Sequence, residues 1–260
     1  MTRRRLDKEL QRRGLASSRT EAQSAIEEGR VRVGGISTPK AASMVGPDVP
    51  ISMDEGGSSR YVSRGGLKLE SALDAFGIDP QACRCLDAGA STGGFSDCLL
   101  QRGAASVAAV DVGYGQLAWS LQQDDRVDIH DRTNLRYADP DVLGAPFDLI
   151  VADLSFISLC TVADALVRFA HSKTDLVLLV KPQFELGKGE VGKGGIVREA
   201  DDHARAIRRV IECLNEMGLG TRDLIASPVR GAKGNREFLI HVRFGSVDVD
   251  ERQIEEWTQQ

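Results

Sequence analysis

At 260 residues, 42% hydrophobic and 27% charged, the chain has the composition of a globular protein with one core of moderate size or two unequal units. No run of eighteen apolar residues and no charged-then-apolar leader occurs, and the five cysteines (Cys83, Cys85, Cys98, Cys160 and Cys213) lack disulfide-framework or zinc-site spacing, so the expectation is a reduced cytoplasmic protein without membrane span or metal. The net charge of −5 conceals an asymmetry: residues 1–47 hold ten Lys and Arg against five Asp and Glu, the remainder 23 against 33, which places a small basic unit suited to a polyanion ahead of a larger acidic one.

In chain order, Leu6, Leu10 and Leu15 share one face of a short helix closed at Gly14, and Ala22, Ala25 and Ile26 share one face of a second. Ser18 caps the second helix, Glu21 completes a capping box, and Gly29 stops it before a strand at Arg30–Val33 and a turn at Gly34 and Gly35. Two small helices and a hairpin, with Arg3, Arg4, Arg5, Arg12, Arg13, Arg19, Arg30, Arg32 and Lys40 at the surface, resemble the RNA-binding module of ribosomal small-subunit protein four. The Gly-, Ser- and acid-rich stretch before residue 60 sets the expected division: a basic α+β domain over 1–58, a linker over 59–63, a second domain over 64–246 and an acidic tail over 247–260.

Past the linker, Leu67, Leu69, Leu73 and Phe76 recur at helical spacing, which places Lys68 early in a helix. Buried strands follow at 84–90, 107–113, 147–154 and 175–181, then a long amphipathic helix at 201–217 and a closing strand at 236–244. Alternation of this kind predicts a Rossmann-like, doubly wound α/β domain with a mostly parallel sheet.

The first of these strands runs into DAGASTGGF, a glycine-rich strand-to-helix turn of the sort where backbone approaches a ligand. About twenty residues on, Asp111 ends the next strand, where a carboxylate accepts bonds from a ribose hydroxyl pair. The absence of GxGxxG, Asp87 at the loop's start, and Asp153 at a strand end where an acid faces a sulfonium favour S-adenosylmethionine over a nicotinamide. Candidate cofactor residues are therefore Asp87, Gly89, Ser91, Thr92, Gly93, Gly94 and Phe95 of the loop, with Asp111, Tyr114 and Gln116; Trp119 either flanks the adenosine with them or packs in the core.

Lys181 ends an apolar strand immediately before Pro182, an unusual place for a lysine. Asp153 ends another strand, Lys68 precedes the first and Glu237 begins the last, so one sheet edge can gather all four. Two lysines and two acids suit attack by a weakly acidic hydroxyl on a methyl sulfonium: a lysine takes the proton or steadies the alkoxide, and the rest of the rate comes from alignment. Which lysine is neutral is not legible here.

The segments SRGGLKLESAL, DAGASTGGF, DVGYGQLAWSL, DRTN, VADLSFISL, LVKPQFELGKGEVGKGG and GNREFLI follow one another in order. Together they resemble the TlyA family of rRNA 2′-O-methyltransferases, some of whose members carry the name hemolysin, and the wider domain is similar to FtsJ-like methyltransferases, whose Lys-Asp-Lys-Glu tetrad maps onto Lys68, Asp153, Lys181 and Glu237. The resemblance implies methyl transfer from S-adenosylmethionine to the ribose 2′-hydroxyl of cytidine in ribosomal RNA on one or both assembled subunits. No membrane partner is expected, and no obligate protein partner is evident in the sequence. The family's interdomain linker corresponds to Arg60, Tyr61, Val62 and Ser63. A phosphate-tracking face is expected from Arg3, Arg4, Arg5, Arg19, Lys40 and Arg64. Three rivals stand against this reading. A pore-former would have no use for the cofactor loop, an RNA-binding protein with an inactive domain would not need all four tetrad residues, and a base methyltransferase would want an Asn/Asp-Pro-Pro-aromatic loop where DLSF stands.

Overall fold

The computed structural model describes residues 3–16, 19–27, 31–34, 36–37, 40–53, 60–187, 189–192, 194–231, 234–245 and 249–259. By contacts the chain forms two units, Met1–Arg60 and Tyr61–Gln260.

In the first unit β1 (Arg4–Arg5) leads into α1 (Leu6–Arg12), followed by α2 (Arg19–Glu27), β2 (Val31–Val33), β3 (Ile36–Ser37), β4 (Met44–Val45) and β5 (Ile51–Met53). Strand β2 pairs antiparallel with β3 and β5, and β1 with β4. The leucines and alanines that set the helical spacing make the core: Leu6, Leu10, Ala22, Ala25 and Ile26 pack with Val31 and Val45. Gly14 turns the chain out of α1 in the left-handed conformation. The expected cap Ser18, and Gly29, Arg30 and Gly35, lie outside the described residues.

The second unit runs α3 (Gly65–Phe76), β6 (Arg84–Ala88), α4 (Gly94–Gln101), β7 (Ser106–Val110), α5 (Trp119–Gln122), β8 (Val127–His130), β9 (Phe147–Ala152), α6 (Leu159–Arg168), β10 (Ala170–Val180), α7 (Pro182–Glu185), α8 (Ala200–Glu216), β11 (Leu219–Ala226), β12 (Phe238–Phe244) and α9 (Glu251–Gln259). The seven strands of its sheet lie in the order β11-β12-β10-β9-β6-β7-β8. Neighbours from β10 to β8 run parallel, and β12 is antiparallel to both β10 and β11. Alternation along the buried strands sends Leu86, Ala88, Ile150 and Leu178 to one face, with α6 and α8, and Cys85, Leu149, Val177 and Leu239 to the other, with α3 and α4. Strand order reverses beside β6, so the crevice past the carboxyl ends of β6 and β9 is the expected ligand position in such a sheet.

Three expectations need correction. Strands β8 and β11 went unread because they lie at the sheet edges and carry polar residues instead of a continuous apolar run. The acidic tail includes a docked helix, α9: Ile254 and Thr258 are buried, Trp257 is partly buried against the core, and Glu251 pairs with Arg208 of α8 at 2.8 Å. Of the linker, Arg60 falls in the smaller unit and Tyr61, Val62 and Ser63 in the larger. Tyr61 is 2% exposed with its ring against Gly66 and its hydroxyl donating to Glu70 at 3.0 Å, and Val62 N donates to Asp97 at 2.7 Å.

Candidate active site

The glycine-rich turn joins β6 to α4. Both Gly89 (φ +86°) and Gly93 (φ +94°) are left-handed, and Ser91 between them is left-handed without being glycine (φ +48°), a strained conformation that clusters at functional turns. Protein packing alone leaves no room for a side chain at these glycines. A methyl on Gly89 would lie 2.7 Å from the carbonyl oxygen of Asp153, one on Gly93 would run into Leu117 and Leu121, and one on Gly94 would lie 2.9 Å from Gly66 N. The loop is thereby pressed onto the end of β9.

Asp87 and Phe95 sit beneath the loop. Phe95 is buried and packs in the core on the α3 and α4 face of the sheet. Asp87 is fully buried; Oδ2 accepts from Ser96 N at 2.9 Å and Ser96 Oγ at 2.6 Å, which satisfies an otherwise orphaned N–H in the first turn of α4, while Oδ1 has no partner among the described residues. Burial pushes its ionisation up to about 7, the Asp153 and Asp111 charges adding to it and the Ser96 bonds opposing it. A carboxyl whose folded value lies above its ordinary 3.8 adds stability that is full below about pH 4 and lost as pH rises through about 7. Wild-type protein is therefore expected to lose up to about 4 kcal/mol over that window from this group, and Asp87→Asn to lack that slope. Urea melts from pH 4 to 8 check this, and equal slopes in the two proteins would refute it.

Asp111 follows β7 and holds the rim of the crevice: Oδ2 accepts from Ser91 N at 2.9 Å and Oδ1 from Gly113 N at 2.6 Å. Gln116 folds back over Gly113 and accepts from Ser91 Oγ at 3.4 Å, and the Thr92 carbonyl accepts from Ala118 N. Tyr114 is exposed, with the Arg132 guanidinium 4.2 Å above its ring. Trp119 is exposed too, so the alternative of a core position falls.

At the same sheet edge the structure brings together Lys68, Asp153, Lys181 and Glu237. Lys68 Nζ lies 2.6 Å from Glu237 Oε2 and 3.8 Å from Asp153 Oδ2, and Lys181 Nζ lies 2.5 Å from Asp153 Oδ1. Three of the four are nearly enclosed, at 8% exposure for Lys68, 7% for Lys181 and 3% for Glu237. Each is placed by a strand end or helix start: Asp153 and Lys181 directly follow β9 and β10, Glu237 directly precedes β12, and Lys68 stands in the first turn of α3. Burial opposes the charge on Lys68, but Asp153 and Glu237 outweigh it and raise its ionisation above the usual lysine value. Burial likewise opposes the Asp153 carboxylate, and the two lysines outweigh it and pull its ionisation down. Lys68 is thus the ammonium held between two carboxylates, whereas Lys181 shares only one and donates its other bond to Ser155 Oγ at 2.8 Å.

Of the residues expected to meet phosphate, Arg3, Arg4 and Lys40 are exposed. Arg5 and Arg19 are otherwise engaged. Both guanidinium groups converge on the buried carboxylate of Asp7, at 2.9 and 3.0 Å, and hold it ionised well below the usual carboxylate range, so these two arginines structure the module before they contact anything else. Arg64 stands just ahead of α3, near enough to Lys68 for their charges to repel.

Several residues went unread. Asp131 of DRTN accepts from Gly115 N at 2.8 Å and pins the Tyr114 turn; its position after β8 was hidden with that strand. Phe156 of DLSF is 91% exposed and left-handed (φ +65°), tilted against Phe184 at 5.3 Å; an aromatic in a strand-end loop was the available signal. Asn235 of GNREF, buried, accepts from Val197 N at 3.0 Å and donates to the Gly195 carbonyl at 2.9 Å, which ties the glycine-rich 187–197 loop to the segment that carries Glu237.

The model of the FtsJ-like methyltransferase family matches residues 61–244, and that of the S4 domain residues 4–49. The chain is 49% identical over 239 residues to the 16S/23S rRNA (cytidine-2′-O)-methyltransferase TlyA of Mycobacterium tuberculosis, which covers 92% of this chain and 89% of that protein. It is 37% identical over 238 residues to Hemolysin A of Brachyspira hyodysenteriae, covering 91% and 98%. A solved hemolysin-named protein from Streptococcus thermophilus superposes with a TM-score of 0.78 at 38% identity, over 100% of this chain and 96% of that one. Among the described residues, no helix is long and apolar enough to cross a membrane. The chain belongs to the TlyA family, an FtsJ-like methyltransferase that carries an S4 domain.

Proposed function

We propose that this methyltransferase uses S-adenosylmethionine to methylate the ribose 2′-hydroxyl of cytidine in ribosomal RNA on assembled subunits in the cytoplasm. The observation that carries the reading is the unbroken chain Lys181–Asp153–Lys68–Glu237 at the carboxyl edge of the sheet, beside the glycine turn. The donor set around that turn fits the cofactor: a carboxylate, Asp111, whose oxygens each accept a single backbone N–H and retain lone pairs for a ribose hydroxyl pair, and an exposed aromatic ring at Tyr114. When bound, S-adenosylmethionine supplies a methyl on a positively charged sulfur, a leaving group that needs no proton.

The protein's own task is then the nucleophile. A ribose hydroxyl is a weak acid, and Lys181 in its neutral form takes the hydroxyl proton onto Nζ as the new oxygen–carbon bond forms. Lys181 is the lysine able to do so, because Lys68 is held as the ammonium by Glu237 and Asp153. The Lys68 charge steadies the developing alkoxide, and Asp153 aims both lysines without itself being protonated. A nearly enclosed site makes each of these charges count for more than it would in water. The relative named for both 16S and 23S rRNA supports action on both subunits.

The test is transfer of radiolabelled methyl to separated, unmodified small and large subunits, followed by identification of the labelled nucleoside. Label as 2′-O-methylcytidine is the expected result. Label on a base, or none on either subunit, would overturn the reading.

A further inference from the structure

On the α8 side of the same sheet edge lies a cavity of about 530 Å³ whose wall includes Arg198, Arg230, Arg236, His203, Val197 and Thr258. Several arginines of this unit carry carboxylates: Arg126, Arg208 and Arg209 are bonded to Asp124, Glu251 and Glu190, which push their ionisation up. Around the cavity none does so among the described residues. Arg198 makes no ion pair, Arg230 donates only to the Gly234 carbonyl at 3.2 Å, and half-buried Arg236 donates to the carbonyls of Thr258 and Trp257 at 2.7 and 2.8 Å. Burial and the Arg230 charge push Arg236 down.

No described Asp or Glu lines this wall; Asp202, in the first turn of α8, pairs instead with Arg205 at 2.8 Å. His203 is 1% exposed, with one ring nitrogen on the Val197 carbonyl at 3.2 Å and Nδ1 buried without a partner. The Val197 carbonyl takes the Nε2 proton of the neutral His203 ring, so Nδ1 is an acceptor and the donors free for an anion are the Arg198 and Arg230 guanidinium groups, which no described carboxylate neutralises in an otherwise acidic unit.

We infer that this cavity binds a phosphodiester of the RNA strand that carries the target ribose. The inference rests on the RNA-methylating reading above and adds a second point of attachment to it. Position is what connects the two. Arg236 is the residue before Glu237, and Asn235 between Gly234 and Arg236 bonds Gly195 and Val197 on the cavity's other wall, so the hollow and the tetrad are built from one segment at one sheet edge. A strand that presents its 2′-hydroxyl to Lys181 and continues along this edge brings a phosphate to the hollow. Arg198 and Arg230 are exposed, so a polymer can reach them from outside.

The experiment measures binding of a short labelled single-stranded RNA to the full-length protein between about 50 and 200 mM salt. It compares wild type, Arg198→Ala/Arg230→Ala, and a control, Arg126→Ala/Arg243→Ala, that removes equal charge at the opposite sheet edge, where β8 starts and β12 ends. Loss of two phosphate contacts is expected to weaken binding about tenfold at low salt and to flatten the slope of log affinity against log salt by about 1.4, while the control stays within about twofold. S-adenosylmethionine affinity, measured by calorimetry, is expected to be unchanged in both. An unaltered salt slope in Arg198→Ala/Arg230→Ala overturns the inference. So does inorganic phosphate that binds wild type and not this variant while RNA affinity is the same in both, since the site then takes free phosphate. Failure of the wild type to methylate either subunit would instead count against the proposed function, and the binding comparison is read without it.

Discussion

Lys181→Ala is expected to lower methyl transfer in a single-turnover assay by about 10³-fold, with binding of ribosomal subunits within about twofold of wild type. The size follows from what is removed. Lys181 is the one amine of the tetrad shared with a single carboxylate, and its loss takes away the proposed proton acceptor and, with it, the ammonium that forms beside the reacting oxygen once the proton is taken. Lys181→Arg separates the two contributions, because a guanidinium keeps the charge and cannot give up its proton near neutral pH. Arginine as inactive as alanine would identify Lys181 as the base, whereas substantial recovery would leave it an electrostatic role only. Alanine within tenfold of wild type would remove Lys181 from the chemistry. The variant leaves Asp153 with the more distant Lys68 alone, at 3.8 Å, so a thermal melt belongs beside the assay to separate lost chemistry from lost fold.

The other large effect is expected at Gly89. An alanine there pays the left-handed penalty at φ +86° and also drives its methyl to 2.7 Å from the backbone carbonyl of Asp153. Backbone at the end of β9 has nowhere to retreat, since Asp153 N is bonded to the Ala88 carbonyl at 3.1 Å and its side chain to two lysines. Gly89→Ala is therefore expected to cost about 3 kcal/mol, a fall in melting temperature of roughly 6–12 °C, and to cut activity more than tenfold by shifting the carboxylate. Gly115→Ala is the control: its φ is also positive, +63°, but a methyl there meets nothing within 4 Å, so about 1 kcal/mol is expected. Equal melting temperatures for the two variants would show that the crowding against Asp153 has no energetic consequence.

The family's hemolysin-named members pose a question of naming that the site answers in chemical terms. A membrane-active protein has no use for a buried Lys-Asp-Lys-Glu chain beside a glycine turn. That machinery positions charges around a hydroxyl, and the amphipathic helices here spend their apolar faces on the sheet: α8 buries Ile207, Val210 and Leu214 in the same core as Leu86 and Leu178.

Much of this protein was legible in its residue order. Central strands of a parallel sheet are buried on both faces, so they stand out as apolar runs, and their ends are marked by the polar residues Asp87, Asp111, Asp153 and Lys181. The basic module was legible from charge and from two short apolar spacings that fold as α1 and α2. The signal failed where burial is one-sided. Edge strands β8 and β11 have no continuous apolar run, and α9 shows only Ile254, Trp257 and Thr258 among acids and glutamines, a stripe that has meaning only once α8 and β11 are there to receive it. Within the site, residue types and order suggested which four side chains meet, but Lys68 and Glu237 stand 169 positions apart and their 2.6 Å contact depends on β12 inserting antiparallel beside β10. That Lys68 lies between two carboxylates and Lys181 beside one depends on how the strand ends meet α3, and that Arg5 and Arg19 answer first to Asp7 depends on the placing of α2 against α1. Spacing along a chain encodes which face of an element is apolar; distances between charges arise only when the elements pack, because electrostatic energy depends on separation in space and on the water that packing excludes.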